Sequence, residues 1–277
     1  MTLSDVFLSV LSGTSETSRA PIVRMARRSA AEPLSPEQEV LRRCVIYRSA
    51  VPTTEIALPA LALRNYVVAK WVRDENVAVD VRSSEDLGVS LAAGIHPALM
   101  TIHADGLSAN EILFCTANLE VNRVVVNSTD QIDLLASVAP RRRQRVLVRM
   151  TDVNAPAYGA AGEADDAVGA ILANRRLDLI GLHCEIGARD QDFISYPAAI
   201  GHMISEMTHI RHDHDIVLTR LALGGGRAVP SGDWAVQLPE LATEIDESLD
   251  DACATLRFPR PMVSLSTGLA ILGKQAA

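Results

Sequence analysis

Three consecutive glycines, Gly224, Gly225 and Gly226, follow an apolar run that ends at Leu223. Glycine lets a chain turn tightly and bring bare main-chain N–H groups within reach of an anion. The triplet therefore reads either as a phosphate cradle or as a plain flexible turn. His183 and Glu185 stand two apart in another apolar run, so in a strand they share one face and Cys184 points the other way. Two such groups without a third ligand make a weak metal motif. His209, His212 and His214 have ligand-like spacing, yet Arg211, Asp213 and Asp215 surround them. A solvated helix C-terminus, where histidine suits the helix dipole, is the simpler reading. The Arg141-Arg142-Arg143 run reads as a solvated loop, and no Ser-His-Asp signature, Walker loop or paired-carboxylate spacing stands out.

Amines are scarce. Of the 26 basic residues only Lys70 and Lys274 are lysine, so chemistry that requires an amine has two side chains to draw on. Cys44, Cys115, Cys184 and Cys253 are widely spaced with no CxxC pair, and read as reduced, buried thiols.

The elements that must position these groups are legible as an alternation. Ser35-Pro36-Glu37-Gln38 carries a cap, a proline suited to the first helical position and an amide at capping-box spacing, predicting a helix to about Ala50. Eight apolar, β-branched runs follow: Ile56–Leu61, Val77–Val81, Leu99–His103, Arg123–Asn127, Arg145–Met150, Leu177–Glu185, Ile216–Leu223 and Met262–Ser266. Near-continuous apolar runs suit parallel strands covered on both faces. Ser83, Ser108 and Ser128 each stand three residues before an acidic or amide residue and predict helix starts between strands. Eight βα units in sequence point to a single-domain (β/α)8 TIM-type barrel over residues 35–277. In that fold function sits at the C-terminal ends of the strands. There Asp80, His103, Asp105, Arg149, His183, Glu185 and Ser266 gather. Polar strand ends suit a pocket, and they also suit simple contact with solvent.

The 277-residue chain is 48% hydrophobic and 22% charged with a net charge of −8, which speaks against disorder and against a dedicated nucleic-acid binder. No apolar run approaches the roughly 20 residues that span a bilayer, and no secretory pattern opens the chain, so the expected location is the cytoplasm. Residues 1–34, rich in Ser, Thr, Ala and Arg, are expected to be poorly ordered.

The ordered strand ends resemble the pyridoxal-phosphate barrel domain of diaminopimelate decarboxylase and its ornithine and arginine decarboxylase relatives, an alanine-racemase-like barrel. Asp80-Val81-Arg82-Ser83 is similar to the family's DVxS, and Val125-Val126-Asn127-Ser128 to its VVDS. Val146 to Arg149 matches a strand ending in arginine, Gly181 to Gly187 matches GLHxHIG, and Leu223 to Gly226 matches LGGG. The resemblance covers about Leu41 to Lys274.

What the resemblance implies about chemistry is then partly missing. The family's first strand ends in a lysine that bonds the cofactor aldehyde; counting back from Trp71, that position falls on Leu61. The ring-stacking histidine corresponds to Glu185, the phosphate-holding serine to Ala188, and the family's EPGR to Ser266-Thr267-Gly268-Leu269. The family also continues into a β domain that lends a cysteine motif and a tyrosine to the partner's site. These departures lead to the expectation of a degenerate homologue without decarboxylase activity, a pseudoenzyme acting as a binding or regulatory protein. Its residual phosphate or anion site would use Gly224, Gly225, Gly226, Gly268, Asp80, Arg149 and His183. Pyridoxal phosphate would bind non-covalently if at all, no metal is expected, and a homo-oligomer or heteromeric protein partner would cover the exposed barrel face, with neither nucleic acid nor membrane involved. The alternatives are an active pyridoxal-phosphate decarboxylase of the diaminopimelate type, serving lysine biosynthesis, and a single-barrel cofactor carrier.

Overall fold

The structure is a computed structural model, and it describes residues 34–138, 142–151, 163–186, 195–224, 234–268 and 271–272. Apart from Leu34, the N-terminal segment expected to be poorly ordered lies outside the described residues, as do Arg141, Gly187, Ala188, Gly225, Gly226, Leu269 and Lys274.

A helix α1 (Pro36–Ala50) precedes the barrel, and Ser35 closes the foreseen capping box with Gln38. Eight parallel strands then close on themselves in chain order: β1 (Glu55–Pro59), β2 (Ala78–Val81), β3 (Met100–His103), β4 (Arg123–Val126), β5 (Gln144–Thr151), β6 (Leu177–Glu185), β7 (Arg220–Gly224) and β8 (Met262–Ser266). Helices α2 (Tyr66–Glu75), α3 (Ser84–Ala92), α4 (Ala109–Leu113), α5 (Thr129–Ser137), α6 (Glu163–Ala173), α7 (Tyr196–His214) and α8 (Trp234–Leu256) follow the first seven strands in turn. Ser83, Ser108 and Ser128 cap α3, α4 and α5 as the spacing predicts. Two strand limits differ from the sequence expectation by more than one residue. β1 stops at Pro59, because the chain tightens into a 3-10 turn over Ala60–Arg64, and β7 starts only at Arg220.

The alternation along each strand sorts the barrel into an outer and an inner set. Outward-facing Leu58, Val79, Val81, Ile102, Val124, Val126, Val146, Val148, Leu182, Leu221 and Leu265 are buried under the helices. Burial of each such side chain stabilises the fold by about 1.5–3 kcal/mol. The helices reciprocate: Trp71 of α2 packs on this core while the Arg48 guanidinium of α1 lies 5.9 Å over its ring.

Inward-facing residues form three tiers. The middle tier is thin and apolar, with Val125, Leu147 and Ala222 packed together beside Ile180. Beneath it, at the N-terminal end of the strands, Arg123 donates two hydrogen bonds to Glu55 (2.8 and 2.6 Å) and one to Thr101 (3.2 Å). Above it lies the polar mouth. A cavity of about 20 Å3, lined in part by Asp80, Thr101, Leu147, His183 and Ser266, remains inside, room for about one water.

The β5–β6 pairing carries a bulge. Arg145 pairs with Asp178, but Leu147 pairs with Gly181 and Arg149 with His183, so one extra residue of β6 is absorbed between them. That shift sets Gly181, His183 and Glu185 in register with the inward residues Arg220, Ala222 and Gly224 of β7.

Candidate active site

The mouth is built around two buried histidines. His103, last residue of β3, and His183 of β6 meet edge to face with ring centroids 5.1 Å apart. Arg149 of β5 lies beside them. Its guanidinium reaches His103 Nδ1 at 2.8 Å and donates to the Asp105 carboxylate at 2.7 and 3.3 Å. Asp80 of β2 faces His103 from the other side, 3.7 Å from its Nε2, within electrostatic reach but too long for a hydrogen bond. Across the opening Arg82 donates to Glu185 at 2.9 Å, and Glu185 stands 4.0 Å from His183 Nε2.

Two glycines make this packing possible. A Cβ at Gly224 would lie 2.6 Å from His183 Nε2 and 3.0 Å from Arg82 Nη2, so the imidazole occupies space that a side chain would fill. A Cβ at Gly106 would strike the Arg82 carbonyl at 1.7 Å, and the bare glycine lets the β3–α4 connection lie against Arg82. Asp86 fixes the same residue from below by accepting its backbone N–H at 2.9 Å.

Burial, reinforced by His103, Arg149 and Arg82, holds the His183 pKa well below the usual imidazole range, and burial beside Arg82 lowers His103 as well. For Asp80 burial alone would raise the pKa, but His103, the Arg82 charge and the Ser266 hydroxyl bring it down to about 2. The unfolded chain therefore takes up protons on both histidines that the folded barrel refuses. Stability is complete above about pH 6.5 and falls as the pH drops below it toward the depressed folded values. The Asp80 contribution follows later, lost as the pH falls from about 4 toward 2. The expected result is a thermal midpoint that declines between pH 6.5 and 5, with a shallower decline in His183→Gln. A midpoint equally pH-dependent in the variant would overturn the assignment.

The structure brings together Asp80, Arg149 and His183, three of the residues singled out from sequence, and sets Gly224 above them. Gly268 lies just past β8 with φ of 60°, the left-handed conformation that favours glycine. Gly225 and Gly226 lie outside the described residues. His103, Asp105 and the Arg82–Glu185 pair complete the site. Their signal in the sequence is position alone, at or just beyond the end of an apolar run. Cys184 points into the core as foreseen, and burial raises the thiols of Cys44 and Cys115 to about 12 and about 11.

The histidine cluster does end a helix, α7, with Asp215 capping it in the left-handed conformation. No group of three or more potential metal ligands occurs among the described residues. Arg142 and Arg143 are not simply a solvated loop. They donate to the carbonyls of Glu120, Val121 and Leu177 and tie the α5–β5 connection to its neighbours. No helix among the described residues is long and apolar enough to cross a membrane.

The amine question has a geometric answer in the described residues. The last residue of β1 is Pro59, in register with Asp80, and Leu61 lies half-buried in the 3-10 turn beyond it. Lys70 is exposed on α2 and pairs with Asp74.

A family model described as "Pyridoxal-dependent decarboxylase, pyridoxal binding domain" matches residues 37–272. Diaminopimelate decarboxylase of Actinosynnema pretiosum subsp. auranticum is 29% identical over 256 residues, covering 86% of this chain and 57% of that protein. That of Corynebacterium efficiens is 27% identical over 232 residues, covering 76% and 50%. Among solved structures, diaminopimelate decarboxylase from M. jannaschi superposes with a TM-score of 0.71 at 15% identity, over 85% of this chain and 60% of that one. Lysine decarboxylase from Selenomonas ruminantium gives 0.67 at 19%, over the same shares. These two share the fold, and the chain spans little more than half the length of the relatives it matches. With the family match running through nearly the whole barrel, the chain belongs to the pyridoxal-dependent decarboxylases, through their pyridoxal binding domain.

Proposed function

We propose that this chain is a non-decarboxylating member of its family, a binding or regulatory barrel whose mouth holds a small anion. One observation carries the reading: no amine faces the described mouth, where β1 ends in Pro59 and Lys70 turns to solvent. The residues present fit a phosphate group better than a tethered cofactor. Arg82 Nη2 is buried without a hydrogen-bond partner and lies over Gly224, so an anion there would satisfy it. Pyridoxal phosphate supplies an electron sink when it is covalently held and its ring nitrogen is charged. Here Glu185 puts a carboxylate where the resemblance implies a stacked ring, and Ser266 stands where it implies a carboxylate. The fit to that group in its working form therefore fails, and no catalytic step is assigned to it.

The test is to incubate the protein with pyridoxal phosphate and record its spectrum and intact mass before and after borohydride reduction, with carbon dioxide release from diaminopimelate measured in parallel. No reducible adduct and no gas release is the expected result. An adduct mapped to Lys70 or Lys274 together with gas release overturns the reading, and an adduct alone replaces it with the cofactor-carrier alternative. Association through the barrel face, with a second copy or another protein, belongs to the same proposal; a single monomeric mass by light scattering at every concentration, together with no partner recovered, would remove it.

A further inference from the structure

The opposite end of the barrel carries a charge imbalance that the mouth does not explain. Arg123, Arg145 and Arg220 converge from the starts of β4, β5 and β7 on a cleft of about 260 Å3 that also takes in Asp178 and Asn122. Glu55 is the carboxylate shared by two of them, accepting from Arg123 at 2.6 and 2.8 Å and from Arg220 at 2.8 Å. Arg145 is exposed and donates to the neutral amide oxygen of Asn122 at 3.2 Å. Asp178 engages a fourth guanidinium, that of Arg143, at 3.6 Å. Four guanidiniums against two carboxylates leave a local charge of +2.

A barrel that needed only a plug would need only Arg123. It is 2% exposed, and its three hydrogen bonds to Glu55 and Thr101 already close the base. Arg145 and Arg220 add like charge at the rim, where it is repulsive unless something neutralises it. Burial and the neighbouring Arg123 and Arg145 hold the Arg220 pKa below the ordinary guanidinium value despite Glu55. Arginine's planar fork suits a tetrahedral oxyanion, and a dianion balances the excess.

We infer that this cleft is a second anion site, for a phosphate group carried as inorganic phosphate or as a phosphomonoester, held by Arg145 and Arg220 with Arg123 beneath. It is independent of the mouth, on the other side of the apolar tier of Val125, Leu147 and Ala222.

The experiment is a calorimetric titration of the whole chain with inorganic phosphate, and separately with glycerol 3-phosphate, at constant ionic strength set with sodium chloride. Arg145→Gln changes an exposed side chain at the base, and Arg82→Met removes the mouth's unpartnered donor. The expected result is two saturable sites, one whose Kd rises at least tenfold in Arg145→Gln and is unchanged in Arg82→Met, and one, at the mouth, that behaves the other way round. Preference for the monoester over inorganic phosphate identifies the carried form. Wild-type binding in Arg145→Gln, or equal displacement by chloride, overturns the base site. If Arg82→Met alone loses binding, the base site falls and the mouth reading stands; if Arg145→Gln alone loses it, the anion part of the mouth reading falls instead.

Discussion

Arg149→Met is expected to destabilise the barrel by about 1–3 kcal/mol, the cost of leaving a buried hydrogen-bonding group without its partner. The guanidinium is 4% exposed and joins Asp105 to His103 across the mouth. Methionine has comparable bulk, so little of the loss would be packing. The remaining groups are the problem: the Asp105 carboxylate loses its ion pair, and His103 Nδ1 is left buried without its partner. For a domain of this size the shift corresponds to a fall in Tm of roughly 5 °C. Arg64→Met is the control. Its ion pair with Glu85 is mostly exposed, so its loss should fall within about 1 kcal/mol. Equal denaturation midpoints for the two variants would show that the mouth network adds no stability.

Gly181→Ala should be as damaging, for a steric reason. An added Cβ would lie 1.9 Å from the Arg220 carbonyl oxygen and 2.6 Å from its carbon, both backbone atoms of the neighbouring strand. Relief requires β6 and β7 to part where they pair through five consecutive residues. Overpacking of this kind costs at least about 1–3 kcal/mol, and more when backbone must move. Gly169→Ala in α6 offers the opposite sign. Nothing lies within 4 Å of its added Cβ, and alanine is favoured over glycine in a helix by roughly 1 kcal/mol. Urea denaturation of both variants separates the effects, and a Gly181→Ala protein as stable as the parent would refute the strand contact.

Acidification bears on the stability of the mouth through its two histidines. Below about pH 6.5 the buried histidines become sites that the unfolded chain protonates more readily. Their mutual contact and the nearby Arg82 and Arg149 oppose charge on either ring. The mouth is thus arranged to keep both imidazoles neutral, with Glu185 answering Arg82 and Asp105 answering Arg149.

Alternation of apolar runs with capped helical stretches determined the barrel, because period-two burial and the serine caps are local properties of the chain. The same locality showed that His183 and Glu185 share a face and that lysine is nearly absent. Which charges meet was a tertiary matter. Arg82 and Glu185 are 103 residues apart, Arg220 and Glu55 165, and they come together only because the ring closes β8 onto β1 and carries β2 and β6 to one mouth. The bulge in β6 and the early end of β1 were likewise set by ring geometry: strand register depends on the neighbour's backbone, to which a single strand's own residues do not refer.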